Sequence, residues 1–256
     1  MNTNNIKNLT NKKNKNNFCK NAFTLVETLL VIGIIGIISA MVIPTLISNY
    51  QKISTAKQLE KTYAMLANAV RLSEEENGEL SGWELASKKA PNAIPLFDKY
   101  LAPYLKFSKK EINGSNLEYF KPNGQREVGL AILRGRSAVY TLFSGVEILV
   151  HSGEVTSSTA TTGKGTSIGM IVDLNGYNSK PNRFGHDAFV LQLLTEKGLV
   201  LHASNDGELG SVQRTREQLK NGPSTENYQC NKQGRGMWCG ALIQRDGWVI
   251  SKDYPW

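Results

Sequence analysis

At 256 residues the chain has room for one good-sized domain plus an anchor. The composition is that of an ordinary globular protein, but the net charge of +8 is unevenly spread. Residues 1–22 carry Lys7, Lys12, Lys13, Lys15 and Lys20 and no acid, and without them the remainder stands at +3, with 25 Lys and Arg against 22 Asp and Glu. The basic balance therefore argues for a positive segment kept on the cytoplasmic side of a membrane, and only weakly for a nucleic-acid-binding surface.

Residues 1–22 are rich in Asn and Lys and form a polar leader without expected structure. The 25 residues Phe23–Ile47, FTLVETLLVIGIIGIISAMVIPTLI, then carry one charge, Glu27. A run of this length crosses a bilayer as a helix, and the Lys-rich flank predicts a cytoplasmic N-terminus with the remainder outside. Ile53, Ala56, Leu59, Tyr63, Leu66 and Val70 continue the helical period as one apolar stripe, and Asn77-Gly78 closes it. The whole would be a helix of about 80 Å, kinked or loosened at Pro44, whose nitrogen cannot donate to the preceding turn.

Residues 78–127 are mixed, with a short helix expected over 94–107. From there the period falls to two. Val128–Leu133, Ala138–Phe143, Val146–Val150, Ile168–Asp173, Ala188–Leu194 and Leu199–Ala203 read as strands, joined in several places by Gly-containing turns that favour antiparallel hairpins. Residues 151–167 read as a Ser-, Thr- and Gly-rich loop, and the tail beyond about 204 as loop-rich. The expected fold class is α+β: a long N-terminal helix packed on an antiparallel sheet. Its divisions are 1–22, a leader to be removed, 23–47, a membrane or filament-core helix, and 48–256, an extracytoplasmic head. The head divides further into 48–77, the outer half of the helix, 78–127, and 128–256.

Of the three cysteines, Cys19 lies in the leader, so its removal leaves the pair Cys230 and Cys239. In an oxidising compartment they would join as a disulfide, two free thiols being the alternative. Their spacing does not suit zinc, and no second Cys or His pair accompanies them. His151, His186 and His202 are scattered near strand ends, without a nucleophile to complete a triad. Trp238, Trp248, Tyr254 and Trp256 are expected to pack the C-terminal region.

A basic leader before an apolar run also fits a secretory signal, with Ile38-Ser39-Ala40 as a poor cleavage site, or a plain signal anchor. Neither needs Glu27. A carboxylate inside a membrane helix is costly and usually marks a function or a partner.

Asn21-Ala22-Phe23-Thr24-Leu25-Val26-Glu27, followed by the apolar run, resembles the processing and N-methylation motif of type IV prepilins and type II secretion pseudopilins. Pro44 matches a common pilin position as well. The resemblance covers residues 20–50 and implies cleavage between Ala22 and Phe23 by a prepilin peptidase, with methylation of the Phe23 amine. The family usually has Gly where this chain has Ala22. The implied partners are membrane lipid, an inner-membrane assembly platform and other pilin or pseudopilin subunits. The implied location is the inner membrane and then a periplasmic or surface filament. In such a filament Glu27 would pair with the Phe23 amine of a neighbouring subunit, setting register between buried helices. The alternative is a pilin-anchored minor subunit that binds DNA during uptake, as competence pilins do, or a surface. Neither reading is enzymatic, and neither needs an organic cofactor.

The segment DLNGYNSKPNRFGHD supplies Asp173, Asn175 and Asp187 as candidate calcium ligands. It resembles a loop of several pilin-like proteins, and some pseudopilins bind calcium through C-terminal loops. It is not an EF-hand, because Gly176 stands at the fourth position and no Glu closes a twelve-residue loop. The competing reading has these side chains capping turns.

Overall fold

A computed structural model describes residues 24–83, 93–112, 117–128, 137–151, 167–195, 197–203, 214–224 and 227–256. The chain divides into two compact units, 1–48 and 49–256. One helix, α1 (Leu25–Asn77), contributes to both. In the first unit the helix leaves its large apolar side chains exposed, Leu25, Leu29, Ile35 and Val42 among them. The helical run continues through Pro44, which denies the Ala40 carbonyl its usual donor.

In the second unit the remainder of α1 buries Ala56, Leu59, Thr62, Leu66, Ala69, Val70 and Ser73, a stripe at three- and four-residue spacing. The helix ends at Asn77 because Gly78 takes a φ of 79°, a left-handed conformation that only glycine adopts without cost. A short helix, α2 (Ala93–Tyr100), buries Ile94, Phe97 and Tyr100. Six strands follow: β1 (Phe107–Ile112), β2 (Ser137–Leu142), β3 (Glu147–His151), β4 (Ser167–Asp173), β5 (Ala188–Leu194) and β6 (Gly198–Leu201). They form one sheet in sequence order, every neighbour antiparallel.

Alternation along the strands sends two sets of side chains to two buried faces. Tyr140, Ile148, Val150, Ile168, Met170, Val172, Leu191 and Leu193 join the main core with Leu59, Leu66, Phe97, Trp238 and Leu242. Val139, Leu149, Ile171 and Ala188 face a smaller cluster with Tyr119, Phe184 and Met237. Burial on both faces makes the central strands almost continuously apolar.

Two short helices close the C-terminal region, α3 (Arg216–Asn221) and α4 (Cys239–Arg245). Thr215 and Gln218 form a reciprocal capping box at the start of α3. Arg216 ties that helix to the tail, meeting Asp246 through Nε at 2.7 Å and Asp253 through Nη2 at 2.7 Å. Cys230 and Cys239 are joined as a disulfide, with Cα atoms 4.7 Å apart, and both are fully buried.

The α+β architecture agrees with the reading of the sequence, and the strand positions agree to within one or two residues for β2 to β6. Three expectations change. The helix over 94–107 stops at Tyr100, and β1 follows from Phe107. The tail contains α3 and α4. Ile53, placed on the apolar stripe, is 66% exposed. The strand expected over 128–133 and the loop over 151–167 lie largely outside the described residues.

Candidate processing and assembly site

The cleavage junction, Ala22 and Phe23, lies outside the described residues, which begin at Thr24 immediately beyond it. Thr24 precedes the first helical residue and Glu27 is the third residue of the helix. The Thr24 amide donates to Glu27 Oε2 at 2.9 Å and the Thr24 hydroxyl to the same oxygen at 2.8 Å. In return the Glu27 amide donates to Thr24 Oγ1 at 3.2 Å. This is a capping box, in which two backbone donors at the helix start are satisfied reciprocally. A negative charge at this end also complements the helix dipole. Both Thr24 bonds to the carboxylate end on Oε2, which leaves Oε1 to accept from another donor. The Thr-x-x-Glu spacing that signals such a box is present in the sequence, and Thr24 is the residue that the pattern adds to the site.

A second polar locus lies at the far end of β4. Asp173 stands opposite Glu147 on β3 and Ala188 on β5, on the sheet face occupied by Tyr119 and Phe184. The loop leaving β4 folds back over this row. The Tyr177 amide donates to Glu147 Oε2 at 3.1 Å, and the Leu174 amide to the Asp187 carbonyl at 2.8 Å. The Asp187 carboxylate accepts from the amides of Asn182 and Arg183. The Asn175 side chain also lies against it. Asp173, Asn175 and Asp187 are thus brought together.

Their electrostatics differ. Asp173 is buried, and neither of its carboxylate oxygens has a hydrogen-bond partner of ordinary geometry. Burial, and then the charges of Asp187 and Glu147, push its carboxyl up to about 7, against the fields of the Asn175 and Gly176 amides. Burial also raises Asp187, opposed by the amides that it accepts. Tyr119, buried beside these acids, is held well above the ordinary phenol range by burial and then by Asp173. Glu147 escapes a reading along the chain because sheet register, and not sequence proximity, brings it to the loop.

The loop then docks on the disulfide region. Tyr254 donates through its hydroxyl to the Gly185 carbonyl at 2.7 Å, and His186 stacks on Trp256 with ring centres 4.4 Å apart. Trp238 and Tyr254 are buried, while Trp248 and Trp256 pack partly buried against the core.

A long N-terminal helix with an exposed apolar first half, an acid in its first turn and an antiparallel head define a type IV pilin-like protein. The prokaryotic N-terminal methylation motif matches residues 17–43, the stretch that holds Ala22, Phe23 and Glu27. That motif marks a substrate of prepilin peptidase. The chain belongs to the family described as "Family of unknown function (DUF6613)", whose profile covers residues 45–256. No curated protein and no solved structure is significantly similar to the chain.

Proposed function

We propose that the chain is a structural, non-enzymatic subunit of a type IV pilus or type II secretion pseudopilus. In this reading it waits in the inner membrane with its head outside, after cleavage between Ala22 and Phe23 and methylation of the new amine. An assembly platform then moves it into a helical filament among other subunits. The observation that carries the reading is the methylation motif over residues 17–43 leading into an exposed apolar helix with Glu27 as its acid. Exposed large apolar residues in a continuous stretch need lipid or other helices around them. A filament core supplies the second, and the cleaved amine of a neighbour supplies a donor for Glu27.

Mass spectrometry of the membrane-derived protein tests this. The expected N-terminus is methylated Phe23. A mature terminus at Met41 would mark an ordinary secretory cut and overturn the assignment to a filament. Electron microscopy of labelled filaments separates the two roles of a pilin-like chain. Labelling along the length identifies a structural subunit, and labelling at tips together with DNA or surface binding identifies the delivered binding module.

A further inference from the structure

We propose that one end of the head docks on the lipid headgroups of the bilayer, with Tyr50, Ile53 and Phe143 entering the interface. Tyr50 and Ile53 lie on the outer side of α1 and are 71% and 66% exposed. Among the described residues of 49–256, Phe143 is the most exposed large apolar side chain, at 75%. Nothing in the fold requires an aromatic ring there. Phe143 sits in the turn between β2 and β3, closed by the Gly145 amide on the Leu142 carbonyl at 3.0 Å and by the Leu142 amide on the Val146 carbonyl at 2.8 Å. Such turn positions favour small or polar residues. The bonded turn instead holds a ring out into solvent.

Three contacts bring this turn and the start of the head's helix to the same loop. The Gly145 carbonyl packs on Gly176, 3.0 Å from where a Cβ would stand. Gln58 Nε2 donates to the Leu174 carbonyl at 2.5 Å. Lys52 is near enough to His186, farther along the loop, to act on its charge. The loop after β4 therefore meets α1 over residues 52–58, the first turns of the head, and the β2–β3 turn packs against that loop.

Helix rise sets the distance to lipid. The helix that enters the head is long and apolar enough to cross a membrane, and its apolar run ends at Ile47. At 1.5 Å per residue Tyr50 and Ile53 stand about 5 and 9 Å farther along. The headgroup layer on each side of a bilayer is about 5–8 Å deep, so Tyr50 lies within it and Ile53 at its outer edge. A spanning helix tilts by about 20° on average, which lowers one side of whatever it carries. The side with Phe143 has an apolar ring to insert.

The charges fit a lipid surface. Lys52 follows Tyr50 by two residues, and the Phe143 amide donates to the carbonyl of exposed Lys106 at 3.4 Å, so a lysine accompanies each apolar group. Lys57 and Lys61 add two cations on α1, against Glu60, which pairs with Lys57 at 2.9 Å. The acids of the loop region are turned inward: Asp173 and Asp187 are buried, and Glu147 accepts from the Tyr177 amide. Aromatic rings beside lysines are the usual anchors at a membrane interface, and the lysines favour an anionic leaflet. Lipid is the occupant argued here because it lies at this end whenever the chain is anchored, whereas a second copy arrives only on assembly.

The docking rests on the membrane anchor of the reading above and needs no assembly. Its test uses the full chain in nanodiscs that hold one copy. Cys19→Ser leaves the joined Cys230 and Cys239 as the native cysteines, so a spin label attaches to an introduced one. Labels at Ser54→Cys and Ser144→Cys report on the two apolar contacts, and Ala64→Cys reports on an exposed position about 25 Å beyond Ile47. Power saturation compares collision with oxygen, which concentrates in lipid, and with a nickel chelate, which stays in water. The Ser54 and Ser144 labels should favour oxygen several-fold more than the Ala64 label. The preference should be stronger in discs of anionic phosphatidylglycerol than in discs of phosphatidylcholine. Phe143→Asp, which alters an exposed turn residue, should return the Ser144 label to the Ala64 value and leave the Ser54 label in lipid. A Ser144 label that matches Ala64 with Phe143 intact would overturn the docking. Shielding of Ser144 that appears only in discs with two copies would assign the turn to a neighbouring subunit and overturn it equally. A chain that fails to enter the discs would refute the anchor itself, and the docking with it.

Discussion

The Thr24 amide and hydroxyl converge on one oxygen of Glu27, at 2.9 and 2.8 Å, so the acid of the apolar helix already has partners within its own chain. Its role at the helix start and its proposed role between subunits are therefore separable. Glu27→Ala removes both. The variant should reach the membrane and be cleaved, but filament yield should fall to near zero. Thr24→Val removes only the hydroxyl cap, a loss of about 1 kcal/mol for a typical N-cap threonine. It should be processed and should assemble at reduced yield. Immunoblots of sheared filaments from strains expressing each variant alone measure the difference. Wild-type yield from Glu27→Ala would contradict the intersubunit pairing.

The parts of this fold legible in sequence are those with a long period. The apolar run of α1 is legible from its length alone, while the later stripe of α1 from Ala56 to Val70 and the five strands β2 to β6 each bury a repeated face, and repetition survives in the residue pattern. β1 does not, because its outer position leaves Lys109 and Glu111 in solvent, ion-paired at 2.6 Å, and FSKKEI then reads as loop. α3 and α4 have six and seven residues, too few for a helical period to emerge. Ile53 lies on the stripe yet is exposed for a different reason: periodicity assigns a helix face but not where its packing partners stop. At the acidic locus Asp173, Asn175 and Asp187 are near neighbours in sequence, whereas Glu147 arrives through sheet register.

The disulfide between Cys230 and Cys239 closes a loop spanning nine residues of separation. Loop-closure entropy for a ring of this size corresponds to a stabilisation of about 2–3 kcal/mol. Both cysteines are fully buried in the main core, and the Cys230 amide also bonds the Leu219 carbonyl at 2.9 Å. Non-reducing peptide mapping of exported protein should find the two joined. The double Cys→Ala variant should unfold at lower denaturant, with a loss of about this size. Alkylation of both thiols in native exported protein, without prior reduction, would refute the linkage.

Gly185 tests how tightly the loop after β4 is seated. Its φ is 83°, and an added Cβ would lie 2.9 Å from both Cys239 Sγ and Tyr254 Oη. Gly145, with φ 85°, has nothing within 4 Å of the same position. Ala at either site suffers left-handed strain of roughly 1–2 kcal/mol. Only Gly185→Ala adds an overlap with the disulfide and the tyrosine, worth about 1–3 kcal/mol more in a packed site. Denaturant melts of the two variants should differ by that second amount. Equal losses would mean that the loop gives way freely and is not held against the disulfide.

His186 makes the stability of the head depend on pH in a defined window. Its ring stacks on Trp256, and burial holds its pKa down at about 4, with Arg183 and Lys52 acting in the same direction and the Pro255 carbonyl against it. In an unfolded chain the ring would titrate near 6.5. Between these values the unfolded state takes up a proton that the folded state refuses, so stability must fall as pH falls from about 6.5 towards 4. Above that range the ring is neutral in both states and the contribution is constant. The full loss is on the order of 2–3 kcal/mol, discounting for the exposed part of the ring. Asp173 acts in the opposite sense, because its raised pKa favours the folded state as pH falls towards the carboxylate range. A single stability curve therefore mixes the two. His186→Phe keeps a ring against Trp256 and abolishes the titration, leaving Asp173 untouched. The difference between wild-type and variant curves, from urea melts between pH 4 and 8 in the presence of chelator, should be flat above about pH 7 and slope downward for the wild type below it. A difference curve that is flat throughout would show that the imidazole charges as easily folded as unfolded, and that its stack on Trp256 opens to solvent.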